Sequence, residues 1–178
     1  MKKVLLIIIA SFVLISLCAC NKNDIEKVKD TVYITPLNEL PENYNNYTLS
    51  NEYITDLNFD KVDDRIALYT DAEITEDGLN KNDGNNWKLM FFDGVDSKVY
   101  ELFSDYVQLG NVYFQVADYF KDGKPIPTIT FFESTGASLK IINFVYEENK
   151  GFLKEIIYDS SKRSDNGINL KYSSIPIY

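Results

Sequence analysis

The chain of 178 residues contains no histidine and carries 18 basic against 27 acidic side chains, a formal net charge of −9. Without imidazole it cannot run Ser-His-Asp or Cys-His catalysis and lacks the commonest metal ligand. The acidic surplus argues against nucleic acid as a partner, because phosphates are bound by Lys and Arg, while 45% hydrophobic and 14% aromatic content suits a packed core.

Met1-Lys2-Lys3 is a short positive segment, and Val4 to Leu17 is apolar apart from Ser11 and Ser16. A charged start followed by a short apolar run is the layout of a secretory signal. The run is shorter than the roughly 20 apolar residues of a spanning helix. It ends Leu17-Cys18-Ala19-Cys20. This resembles the lipobox of bacterial lipoproteins: an aliphatic residue, a variable one, a small one, then the cysteine that is acylated. The resemblance implies cleavage before Cys20, lipidation of Cys20, and a membrane partner reached through that anchor. It places the protein on the outer face of the cytoplasmic membrane, or on the outer membrane of a Gram-negative cell. Each buried methylene contributes about 0.8 kcal/mol, so more than one acyl chain gives stable attachment. Loss of residues 1–19 removes Lys2 and Lys3, leaving 16 basic against 27 acidic side chains, or −11. The remaining cysteine carries lipid, so neither a disulfide nor a cysteine-held zinc is expected.

Residues 20–31 are polar and charged and read as a tether. One domain is expected over 32–178, with its core over about 56–172. Val32-Tyr33-Ile34 reads as a short strand. Pro36, Pro41 and the Asn-rich stretch from Asn43 to Asn46 then break up the chain, and Tyr44, Tyr47, Leu49 and Tyr53 are expected to form an irregular cover.

From residue 64 the pattern is β. Strands are expected at Ile66–Tyr69, Trp87–Phe92, Val99–Phe103, Val107–Phe120, Ile126–Phe132, Leu139–Tyr146, Phe152–Tyr158 and Ile168–Tyr172. Turn sequences lie between them: Asp93-Gly94-Val95-Asp96, Asp122-Gly123-Lys124-Pro125, Ser134-Thr135-Gly136, Asn149-Lys150-Gly151 and Asp165-Asn166-Gly167. The expected fold is all-β, an antiparallel meander of about seven to nine strands, propeller-blade-like or sandwich-like. Thr70 to Asn86 reads as a long acidic connection facing water.

One constellation carries chemistry. Asp56-Leu57-Asn58-Phe59-Asp60-Lys61-Val62-Asp63-Asp64 places side-chain oxygens at alternate positions of a tight loop. Calcium takes six to eight hard oxygens in flexible geometry. Asp56, Asn58, Asp60 and Asp64 would supply side-chain oxygens and Val62 its carbonyl. The run resembles the calcium loops of FG-GAP and VCBS-type extracellular β-propeller proteins, which lead into an apolar strand, here Ile66 and Leu68. The wider order is similar to single-module bacterial lipoproteins of that kind: an Asp-rich loop, a strand, the acidic stretch Asp71 to Gly78, Asp83-Gly84, then a strand opening Asn86-Trp87. The resemblance implies a calcium ion as cofactor. Lys61 stands where that pattern has glycine, so a side chain must adopt positive φ. Ala67 occupies the position of the bidentate glutamate of an EF-hand, which excludes that motif.

These readings favour a lipid-anchored, extracytoplasmic, non-catalytic binding module, calcium-stabilised, with a protein or glycan partner. The alternatives are a structural or assembly lipoprotein needing no ion, and a carboxylate-dependent glycan hydrolase, whose chemistry needs two suitably spaced acids.

Overall fold

The structure is a computed structural model that describes residues 32–40, 42–76, 78–80 and 83–161. The expected leader, tether, lipid site at Cys20 and strand at Ile168–Tyr172 lie outside these residues. The described part forms eleven antiparallel strands. They are β1 (Val32–Ile34), β2 (Thr48–Thr55), β3 (Asp64–Thr70), β4 (Glu73–Thr75), β5 (Gly78–Asn80), β6 (Gly84–Phe92), β7 (Val99–Gln108), β8 (Gly110–Lys121), β9 (Lys124–Thr135), β10 (Leu139–Glu147) and β11 (Gly151–Asp159). One sheet runs β1-β11-β10-β9-β8, a second β2-β3-β6-β7, and β4-β5 is a separate hairpin. The fold is therefore all-β and antiparallel, as the short segments rich in Val, Ile, Tyr and Phe foretold.

The two large sheets share one core. Phe91 of β6 lies 4.8 Å from Phe152 of β11, and Phe103 of β7 lies 4.3 Å from Phe131 of β9, measured between ring centroids. Aromatic pairs at such separations add to the area they bury. Leu102 has no partner across β6, because the register shifts between Leu89 and Met90. A bulge of this kind turns two consecutive side chains the same way, and Leu102 and Phe103 are both buried.

The second sheet is covered on its other face too. Ala67, Tyr69 and Met90 pack there with Leu37, Tyr44, Tyr47, Phe92 and Val99. Burial on both faces explains why Ile66 to Tyr69 and Leu89 to Phe91 are apolar without alternation. Tyr44, in the 3-10 turn Glu42–Asn46, stands edge-on to Tyr69 at 4.9 Å. The guanidinium of Arg65 lies 4.9 Å from the Phe92 ring centre and pairs with Glu52 at 2.8 Å.

Two segments read as irregular contain strands. Thr48–Thr55 is β2, zipped along β3, so Leu49 and Tyr53 belong to an exposed strand rather than to a cover. Its alternation is hidden because Ser50 is skipped in the register and because most of the strand faces water. The acidic stretch after Thr70 contains the β4-β5 hairpin, whose Gly78 takes φ +111°.

Truncating Phe91, which is buried among Tyr100, Tyr146 and Phe152, should cost about 3–5 kcal/mol as Phe91→Ala. Ile54→Ala on the exposed face of β2 should cost under about 1 kcal/mol. Denaturant midpoints of the two variants check the contrast.

Candidate metal centre

The loop between β2 and β3 is built by side-chain oxygens that take up its backbone N–H groups. Asp56 accepts from the N–H of Asp60 through Oδ1 and of Lys61 through Oδ2, both at 3.0 Å. Asn58 Oδ1 also accepts from Asp60 N–H, at 3.0 Å, and Asp60 Oδ1 accepts from Val62 N–H at 2.8 Å. Such Asx contacts are the local reason Asp and Asn fold this way. They impose left-handed backbone on Phe59 (φ 61°) and Lys61 (φ 76°), so Lys61 adopts the conformation anticipated for it.

Asp64, the first residue of β3, is only 1% exposed. Its Oδ2 accepts from Leu57 N–H at 2.9 Å and its Oδ1 from Gly94 N–H at 3.0 Å. One carboxylate thus ties the 56–63 loop to the turn after β6. Gly94 permits the approach: a Cβ there would run into the carbonyl oxygen of Asp63 and the Val62 side chain. Asp93, 8% exposed, caps the same turn by accepting from Val95 N–H at 2.9 Å and Asp96 N–H at 3.1 Å. Asn58 Nδ2 donates to its other oxygen at 3.3 Å.

The outcome is a group of three carboxylates. One oxygen each from Asp60, Asp64 and Asp93 lies within 4.8 Å of the others. None of the three forms an ion pair with Lys or Arg among the described residues. Burial pushes the Asp64 carboxyl above its ordinary range, and the neighbouring Asp93 charge adds to this, against the two N–H groups that favour the anion. A divalent cation would remove that repulsion, with the three carboxylates supplying part of the six to eight oxygens that calcium takes.

Of the five residues expected to ligate, Asp60 and Asp64 come together. Asp56 has both oxygens engaged by loop N–H groups, and Asn58 bridges to Asp93. Val62 contributes its N–H to Asp60. The residue that sequence reading missed is Asp93. The Asp93-Gly94 step was legible as a turn, but its partnership with a loop some thirty residues earlier depends on the β3-β6 pairing that sets Arg65 opposite Phe92.

A cleft of about 560 Å³ opens beside the acids. Asn58, Asp60, Asp93 and Asp96 line one side, and Pro125, Ile126, Pro127, Tyr146 and Glu148 another. Phe59 and Val95, both lining it, are more than half exposed. The second acidic stretch is structural at its start. Asp71 accepts from Asn86 N–H at 2.9 Å, Asn86 Nδ2 at 2.6 Å and Asn85 Nδ2 at 3.1 Å. Burial acts to raise the Asp71 carboxyl, but the Asn86 and Asn85 hydrogen bonds outweigh it and hold it below the ordinary range.

No family model, curated protein or solved structure matches the chain.

Lys61→Gly should raise stability by about 1 kcal/mol, because glycine adopts this φ without a Cβ penalty; a denaturant midpoint that falls would refute the strain. Asp71 has a depressed pKa in the fold, so its contribution is present above the unfolded-chain value and is lost as pH falls through the folded one. The melting temperature of Asp71→Ala should therefore fall less between pH 7 and pH 3 than that of the parent.

Proposed function

We propose that this chain is a lipid-anchored extracytoplasmic binding module, non-catalytic, in which a calcium ion held by Asp60, Asp64 and Asp93 fixes one side of a ligand cleft. The observation that carries the ion is the convergence of three carboxylates, two of them buried, with no neutralising side chain among the described residues. Calcium would complete its shell with water and nearby backbone or side-chain oxygens. The anchor rests on the Leu17-Cys18-Ala19-Cys20 sequence.

Ion and cleft are coupled through backbone. The 56–63 loop and the 93–98 turn both line the cleft, and Asp64 is hydrogen-bonded to both. Neutralising the acids would let the two segments close without like-charge repulsion. An ion that binds only the folded form stabilises it by mass action. The cleft is acidic on its ion side and apolar at Pro125, Ile126 and Pro127, a surface suited to a protein or glycan partner with donor groups rather than phosphates.

With a dissociation constant near 1 mM, as in extracellular calcium modules, 10 mM calcium should add about 1.4 kcal/mol. That corresponds to a melting temperature roughly 3–6 °C higher than in chelator. Asp93→Asn should lose most of this gain while remaining folded. Equal melting temperatures with calcium and with chelator would remove the ion from the reading.

A further inference from the structure

β8 ends the five-stranded sheet with an outer edge unlike any other edge in the described structure. β1, at the opposite end of that sheet, has only three residues. In the four-stranded sheet both edge strands, β2 and β7, are interrupted by register shifts. Short length, bulges and charge are the usual protection against strand addition. β8 pairs with β9 in unbroken register from Gly110 to Lys121. From Phe114 to Lys121 it has no proline, and its only charges are Asp118 and Lys121.

The hairpin turn fixes which backbone groups face outward. Asp122 (φ 52°) and Gly123 (φ 74°) form a two-residue turn with both residues left-handed, the type I′ geometry that makes Lys121 and Lys124 a hydrogen-bonded pair. Alternation then directs the N–H and C=O of Phe114, Val116, Asp118 and Phe120 away from β9. Among the described residues nothing bonds to them. The far side of the same ribbon is closed. β10 pairs with β9 only from Thr128 onward, and before it Pro125 and Pro127 stand where outward N–H groups would be. The ribbon is thus blocked on one edge and open on the other, and beside the open edge Tyr119 is 50% and Phe120 73% exposed.

We propose that β8 pairs antiparallel with β8 of a second copy of this chain, about a twofold axis at Ala117, joining the two five-stranded sheets edge to edge. In this register the outward residues meet one another: Phe114 opposes the partner's Phe120 and Val116 the partner's Asp118, each pair occurring twice. Aromatic cross-strand pairs are among the stabilising ones. Gln115 opposes the partner's Tyr119. Ala117 opposes its own copy in a non-hydrogen-bonded pair, the closest approach in an antiparallel ladder at about 4.5 Å, and it is the smallest side chain of the run. One acid and one base make the pairing segment neutral, so the charge of −9 is carried elsewhere. A self-complementary edge of this kind is the isologous contact a twofold dimer requires.

The test uses the full chain in detergent, with unsubstituted chain as the control for Cys18 and Cys20. Sedimentation should give twice the chain mass, and Ala117→Cys should form an intermolecular disulfide on mild oxidation beyond that control. Tyr119→Cys alone should not, because its copy would lie four residues along, about 13 Å away. A mixture of Tyr119→Cys with Gln115→Cys chains should cross-link. Asp118→Pro, which removes one outward N–H and no internal bond, should be monomeric with unchanged fluorescence of the buried Trp87. A monomeric parent overturns the proposal, even one whose β8 captures an extended peptide. So does cross-linking of Tyr119→Cys to itself as readily as Ala117→Cys, or a folded Asp118→Pro that stays dimeric.

Discussion

The candidate site depends on one buried carboxylate. Asp64 opens β3 and receives an N–H from Leu57 and another from Gly94, so two loops separated by a β-strand pair are held against each other. Without this tie, each loop would still satisfy itself locally, Asp56 and Asn58 closing the first and Asp93 the second. What would be lost is their contact, and with it the meeting of Asp60, Asp64 and Asp93. A carboxylate buried at this point is costly unless its charge is compensated. Two N–H groups compensate part of it, while Asp93 works in the opposite direction. The calcium proposal itself rests on the convergence of Asp60, Asp64 and Asp93, which that imbalance accompanies.

Much of the fold was legible because its strands obey two simple patterns. Segments buried on both faces, such as Leu89 to Phe91, read as unbroken apolar runs; Asp-Gly steps and Asn149-Lys150-Gly151 marked the turns. β2 escaped because it is an exposed strand: Asn51, Glu52, Tyr53 and Ile54 all face solvent, so no apolar face shows in the sequence. The β4-β5 hairpin escaped because three-residue strands are too short to display a period.

The site was legible in part for a related reason. Asx turns are local, and the spacing of Asp56, Asn58, Asp60 and Asp64 records them. The consequence of each oxygen is not local: Asp56 satisfies backbone, whereas Asp60 joins acids from elsewhere. Asp93 enters through the register of β3 on β6, a long-range fact that a single sequence does not display. The strain at Lys61 was readable, since a glycine position filled by a side chain needs the same φ.

Whether a calcium ion sits among Asp60, Asp64 and Asp93 is tested most directly with terbium. Terbium substitutes for calcium in oxygen sites, and Tyr146, which lines the same cleft as Asp60 and Asp93, can sensitise its emission. The predicted result is sensitised emission from the chain that calcium displaces and that Asp93→Asn abolishes. Absent emission, or emission that survives Asp93→Asn unchanged, would contradict the calcium site.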